Sequence, residues 1–379
     1  MGRRLRWVAA TLGLLVLGTL SYYGYSFYQF GMNIQKKDDH SLFRKFTAPE
    51  SAIPHKAGGG LKTSQTAVET YTPPKWEGKE RVNVLLLGGD SRGLSPGEVP
   101  RSDSILVASL DPVTKRAALF SIMRDTYVRI PGHGKDRINT ALQYGGPNLV
   151  METVSDLIGM PIQYYVYTDF KGFIALVDAV GGIDIDVEKN MNYRDSEDGP
   201  EYDIRLKKGY QHLDGKTALQ YVRFRHDAMS DFARTERQRK LLKVLAVELQ
   251  STTSLIKLPK ILSSVDPYIE TNLTVSEMLR LGALGFDLKT EAMETLQLPP
   301  SKLLEERTIR GAAVLTADPD EIRAYVRDRL QAAPAAAGQA ETDQGAATGA
   351  DGEDGADRAG AASSARYGAI PGTAKARQP

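Results

Sequence analysis

Between Trp7 and Gln35 the chain carries no charged side chain, and this stretch limits what it can fold into more than any other feature. About 20 consecutive apolar residues are enough to cross a bilayer core. Residues 7–20 are strongly apolar, and residues 21–30 are rich in Tyr and Phe, whose rings suit the membrane–water boundary. The run has no polar face, so it does not read as a helix half-buried in a soluble core. It is long for a secretory signal and no small-x-small cleavage site follows it, which favours an uncleaved anchor over a removed leader. Arg3, Arg4 and Arg6 precede it. The positive-inside rule then expects a cytoplasmic N-terminus, one pass through the cell membrane, and the rest of the chain outside.

Beyond the anchor (residues 1–32), residues 33–80 mix charges with Pro49, Pro54, the glycines 58–60 and Pro73–Pro74, without periodicity. They read as an extended extracellular stalk. About half of residues 331–379 are Ala or Gly, a composition that buries too little apolar surface to offset its ordering entropy, so a disordered tail is expected there. Residues 81–330 form the folded body. Short apolar runs at 82–88, 104–110, 116–123 and 162–167 predict buried strands. Helical spacing appears at 147–159, at 170–180 with Gly181–Gly182 as a stop, at 213–221, and at 231–250 with Asp231 as N-cap. Residues 183–187 alternate Ile and Val with Asp, as a half-exposed strand does. Strands alternating irregularly with helices predict an α/β fold, a three-layer α-β-α sandwich around a mixed sheet, behind an N-terminal transmembrane helix.

Composition removes several classes. With 48 Lys and Arg against 47 Asp and Glu, net charge is +1, which argues against binding to nucleic acid through bulk charge. There is no Cys, hence no disulfide, thiol nucleophile, cysteine-ligated zinc or iron–sulfur cluster. The histidines show no metal-ligand spacing, and His226, a possible base by its place after two arginines, reads more simply as solvated.

Chemistry gathers at predicted strand ends, where α/β sheets place their sites. Asp90 and Arg92 follow the first strand after Gly88–Gly89; Arg101 and Asp103 precede the second; Arg124 and Asp125 end the third. Adjacent strands bring Asp103 towards Asp90, and two neighbouring carboxylates repel unless a cation lies between them. An oxygen-only pair suits Mg²⁺, with Mn²⁺ an alternative, whereas the plain reading is two surface aspartates, one of them capping. Arg223 and Arg225 share a face if their segment is extended, and Arg234 and Gln238 share one on a helix. Arginine forks match phosphate oxygens bidentately. Arg92, Arg101, Arg124, Arg223, Arg225 and Arg234 are thus a candidate polyanion cradle, although any single one equally suits a surface salt bridge, as Arg237 does. Residues 170–180 are amphipathic and fit a plain core helix or one wall of an apolar channel.

The strings GGDSRG, RSDSIL, SIMRDTYV, RINTALQYGG, LVDAVGGIDIDV, LDGKTALQYVRFRHD and DFARTERQ occur in that order. In them the chain resembles the LytR–CpsA–Psr family of Gram-positive cell-envelope proteins, from about residue 82 to 245 and more weakly to 330. The resemblance implies a phosphotransferase that moves a glycopolymer, such as a teichoic acid or capsule, from a polyprenyl-pyrophosphate carrier onto peptidoglycan. It implies Mg²⁺ on Asp90 and Asp103, with Asp90, Asp103 and Arg124 catalytic. It implies pyrophosphate contacts from Arg101, Arg124, Arg223, Arg225 and Gln238, with Arg92 and Arg234 at matching motif positions. Met123 stands where the family usually has Pro, and Arg137 where Lys is common. A polyprenyl-pyrophosphate hydrolase and a non-catalytic lipid-binding regulator are the rival expectations.

Overall fold

The computed structural model describes residues 3–36, 41–47, 71–92, 94–95, 98–194, 199, 203–225 and 230–332. The expected tail beyond 332, residues 48–70 of the expected stalk, and His226 lie outside the described residues. In chain order, α1 (Arg3–Lys36) and a turn of helix, α2 (Arg44–Thr47), precede the strands β1 (Val82–Gly89), β2 (Ser102–Leu110), β3 (Ala117–Ile122), β4 (Tyr127–Ile130) and β5 (Gly134–Arg137). Next come α3 (Ala141–Ile158), β6 (Tyr164–Asp169), α4 (Phe170–Val180), β7 (Ile183–Val187), β8 (Met191–Tyr193), β9 (Ile204–Leu206), β10 (Gly209–Leu213) and α5 (Gly215–Arg223). The chain continues through α6 (Ser230–Leu249), α7 (Thr252–Ile256), α8 (Leu258–Val265), β11 (Ile269–Thr271), α9 (Val275–Asp287), β12 (Glu294–Leu298), β13 (Glu305–Ile309), β14 (Ala312–Thr316) and α10 (Pro319–Gln331).

The central sheet has the order β11-β6-β1-β2-β3-β12. β1 runs parallel to β6 and antiparallel to β2, while β3 runs parallel to β12, so the sheet is mixed. Every residue of β3 is buried, as a strand covered on both faces requires. Side-chain alternation sends Leu85, Leu87, Ile105, Val107, Phe120 and Ile122 to one face, where Val150 and Val154 of α3 and Ile322 and Val326 of α10 pack. On the other face, α4, α5 and α6 with β7–β10 build a second apolar cluster around Val177, Leu219 and Leu241. Helix layers therefore cover both faces of the sheet.

Local chemistry sets the element ends. Asp169 caps α4 by accepting from Gly172 N, and α4 stops at Gly181, φ +112°, as its glycine pair predicts. α3 is kinked at Gly145–Gly146, so the predicted helix is its second limb, which starts at Pro147 and ends on the left-handed Gly159. Two expectations are corrected. α6 begins at Ser230, so Asp231 lies inside the first turn rather than capping it. Leu213 ends β10, and α5 starts at Gly215 behind an Asp214 cap. The segment expected as a stalk also contributes to the body: Phe43 (1% exposed) joins the core beneath α3 and Trp76 joins the cluster under α9. Isolated apolar residues carry no periodic signal, so neither was visible as core.

α1 is long and apolar enough to cross a membrane from Arg6 to Ile34, and Leu12, Leu14 and Leu15 stand fully outward. Its C-terminal end packs on α8 and α9. There Tyr23 Oη donates to Ile256 O at 2.7 Å and Asn33 Nδ2 donates to Asp266 Oδ2 at 2.8 Å.

Candidate active site

A cavity of about 540 Å³ opens between the second sheet face and the helices α4, α5 and α6. Its inner part is apolar: Leu86, Leu106 and Val166 form its floor, and Phe173 and Leu176 of α4, with Leu242 and Leu245 of α6, form its walls. α4 thus serves both readings of its sequence, with Val177 and Val180 in the core and Phe173 and Leu176 on the cavity.

The mouth is charged because of what happens at the edge of the β1–β2 ladder. Gly88 pairs with Ser104 but Gly89 with Ser102, so Asp103 is an extra, bulged residue. A bulge turns a side chain out of the regular alternation and commonly sits beside a site. Asp103 turns into the cavity mouth, and its alternation partner Arg101 does not. Gly89 is needed here for close approach: a Cβ would stand 2.7 Å from Tyr167 Oη.

Asp90, Arg92, Asp103, Arg124, Arg223, Arg225, Arg234 and Gln238 all line this one cavity. Arg101 is the exception among the candidate residues; exposed, it donates through Nε to Gln143 Oε1 at 3.1 Å, outside the lining. Arg124 Nη1 donates to Asp103 Oδ1 at 2.6 Å, and Arg225 Nη2 stands 3.9 Å from the same oxygen. Arg92 grips Asp90 through Nε at 2.8 Å and Nη2 at 2.5 Å. Gln238 Oε1 accepts from Ser104 Oγ at 3.3 Å, one helical turn from Arg234 on the same face of α6. The extended geometry expected for Arg223 and Arg225 is not found, since Arg223 ends α5. Arg223 reaches the mouth by lying over the Phe170 ring, 5.2 Å from its centroid, and Arg92 lies over the same ring at 5.1 Å. Arg237, as expected, is buried against Glu188, at 3.1 Å.

The cavity lining carries five arginines against three aspartates, with Asp125 and Asp231 just behind it. Burial pushes Arg225 down to about 10, and the neighbouring Arg234 and Arg124 add to the fall. Burial also lowers Arg234, offset in part by Asp231. For Arg124 burial works against the charge, but Asp103, Asp231 and Asp125 outweigh it and hold the group above the ordinary arginine value. For Asp90 burial works upward, yet the hydrogen bonds and charge of Arg92 prevail and hold the carboxyl below its usual range. Nε of Arg124 and Nε of Arg234 are buried without hydrogen-bond partners. Converging guanidiniums with orphaned donors are what an anion relieves.

Sequence reading missed three contributors. Asp231 accepts from Arg234 Nη2 at 2.6 Å and stands 3.9 Å from Arg124 Nε, holding both arginines in place. Its acidic position in a helix start signalled only capping. Asp169 joins the mouth, accepting from Ser91 Oγ at 3.0 Å, and an Asp before an apolar helix was a readable cap signal. Phe170, the shared platform for two arginines, carries no sequence signal. The two departures from family pattern are accommodated: Met123 N donates to Leu298 O at 2.9 Å, a bond Pro lacks, and Arg137 Nη1 pairs with Asp125 at 3.3 Å. Because Arg234 is 2% exposed, removing its partner leaves a buried charge less compensated. Asp231→Asn is expected to cost about 3 kcal/mol of unfolding free energy, read by denaturant titration of the full chain in detergent.

A mouth of guanidiniums opening onto an apolar chamber defines an α/β domain with one amphipathic cavity. The chain belongs to the LytR–CpsA–Psr family, whose model matches residues 44–329. Among its relatives, the regulatory protein MsrR of Staphylococcus aureus is 35% identical over 62% of this chain and 68% of its own length. A polyisoprenyl-teichoic acid–peptidoglycan teichoic acid transferase, TagU of Enterococcus faecalis, is 40% identical over 54% of this chain and 65% of its own. The transferase TagV of Bacillus subtilis is 34% identical over 59% of this chain and 58% of its own. The crystal structure of TagV superposes with TM-score 0.56 and 30% identity, covering 68% of this chain and 99% of that one.

Proposed function

We infer that this chain is a membrane-anchored transferase that moves a glycopolymer from a polyisoprenyl-pyrophosphate carrier to peptidoglycan. The observation that carries the reading is the joining of an arginine-lined mouth to an apolar chamber in one cavity, which suits a phosphorylated head with a hydrocarbon tail. The names of TagU and TagV support the class of reaction. Arg3, Arg4 and Arg6 in the first turns of α1 support, by the positive-inside rule, a cytoplasmic N-terminus with the catalytic domain outside, where peptidoglycan lies.

In this reading Arg124, Arg225 and Arg234, with Arg92, Arg223 and Gln238 around them, hold the pyrophosphate oxygens. Their charges are fixed before the ligand arrives, so they stabilise the negative charge that builds on the leaving phosphate without reorganisation. A hydroxyl oxygen of the acceptor sugar bonds to the phosphorus that carries the glycopolymer, and the bond from that phosphorus to the bridging oxygen breaks. Polyprenyl monophosphate leaves, a phosphodiester forms, and Asp90 or Asp103 takes the hydroxyl proton. Among the described residues no group of three or more His, Cys, Asp or Glu gathers at the mouth or elsewhere. Asp90 and Asp103 each accept from an arginine, but a pair of carboxylates is enough for a hard divalent cation when ligand phosphates supply the other donors. Asp90 and Asp103 would hold Mg²⁺, or Mn²⁺, with ligand phosphates completing the shell, and the ion would add positive charge beside the pyrophosphate.

The test supplies a lipid-linked glycopolymer and peptidoglycan to the full chain in proteoliposomes, with and without chelator. A phosphodiester-linked product that disappears on chelation and returns with Mg²⁺ is expected. Phosphate released equally with and without acceptor would instead identify a hydrolase. Activity indifferent to chelation would remove the metal from Asp90 and Asp103.

A further inference from the structure

α1 can be used as a ruler. A helix rises about 1.5 Å per residue, and a bilayer core is about 30 Å thick. Counted from Trp7, the first residue past the last charge, Tyr23 lies about 24 Å along the axis and Asn33 about 39 Å. Helical side chains lean towards the N-terminus, so the Tyr23 hydroxyl sits no shallower than its Cα. Tyr23 Oη holds Ile256 O, which brings the end of α7 to the outer edge of the hydrocarbon. Asn33 holds Asp266, which brings the end of α8 beyond the hydrocarbon, to the head-group level. The helices are in close contact at this level: a Cβ on Gly31 would stand 2.2 Å from Val275 Cγ2 of α9.

The surface at that depth matches its surroundings. Ile256 is 68% exposed and Leu255 38%, side by side at the end of a five-residue helix. Residues 251–265 contain no acid but include Lys257 and Lys260, amines suited to anionic head groups. Lys257 also ties this corner to the cavity wall, since its Nζ donates to Val180 O at the end of α4.

We propose that the α7–α8 corner is a second membrane contact, in which Leu255 and Ile256 enter the outer leaflet beside α1. The contact goes beyond the transferase reading and rests only on α1 as a membrane span. The occupant is lipid rather than protein because the depth is fixed by the span itself.

The chain has no Cys, so single-cysteine variants can be labelled without background. Leu15→Cys, Ile256→Cys and Val113→Cys of the full chain, in nanodiscs, carry an environment-sensitive fluorophore. Val113 is 78% exposed on the β2–β3 turn. The Ile256 label is expected to lose about half its emission to lipid-borne nitroxides placed 5–10 Å below the head groups, and little to aqueous iodide. The Val113 label should behave in the opposite way. Iodide quenching at Ile256 like that at Val113 overturns the proposal. So does protection from both quenchers, which would mean that a protein partner or a second copy covers the corner. If Leu15 also escapes lipid quenching, the span itself has failed, and the corner's contact falls with it whatever the enzyme's activity.

Discussion

Arg124→Ala is expected to lower glycopolymer transfer by two to three orders of magnitude while the domain stays folded. Removing one preorganised donor from a site that stabilises developing negative charge typically costs about 100- to 1000-fold in turnover. Arg124 is well placed for an effect at the upper end. It is the partner of Asp103 at 2.6 Å and lies 3.6 Å from Asp125 and 3.9 Å from Asp231. Without it Asp103 at the mouth, with Asp125 and Asp231 beside it, has less opposing charge, so the residual site is less favourable to an anion as well as lacking a donor. Arg124→Lys should recover part of the loss, because it restores charge but not the planar fork. Circular dichroism and thermal unfolding serve as controls for folding. Wild-type turnover in the alanine variant would refute the assignment of the mouth.

The second large effect should separate head from tail. Leu176→Trp, from α4 into the apolar chamber, is expected to weaken binding of the lipid-linked substrate about 100-fold and to leave inorganic pyrophosphate binding unchanged. Excluding about 120 Å² of hydrocarbon from the chamber forfeits about 3 kcal/mol at 25 cal/mol per Å², which is about a hundredfold in affinity. Leu176 lines the cavity but touches none of the mouth arginines' hydrogen bonds, so the two ligands should respond differently. Isothermal calorimetry with each ligand reads this directly. Equal loss for both would mean that the variant disturbs the mouth, and no loss for either would mean that the chamber does not hold the tail.

Much of this was legible beforehand, for reasons particular to each element. β1, β2 and β3 are buried on both faces and so appear as plain apolar runs. The stop of α4 is written in two glycines with positive φ. Arg234 and Gln238 meet the cavity together because residues i and i+4 are neighbours on one face of a helix with about 3.6 residues per turn. What was hidden depended on long-range packing. Alternation puts Arg101 and Asp103 on one face, and only the bulge, a property of the paired strands, separates them. The chamber itself is assembled from β1, β2, β6, α4, α5 and α6, and no local pattern announces the space left between them. Phe43 and Trp76 looked like stalk because single apolar residues among polar neighbours have no period. Asp231 was read as a cap because its true partners, Arg124 and Arg234, meet it through the tertiary fold as well as along its own helix.

The docking of α1 on α8 and α9 makes the anchor a strut rather than a leash. With the domain on the outer side, as proposed, its active site would stand at one height above the membrane rather than roam through the wall. Only glycan strands passing within that thin shell would then be decorated, so attachment would coincide with wall synthesis at the membrane and not reach older layers. Timing would then be set by distance alone.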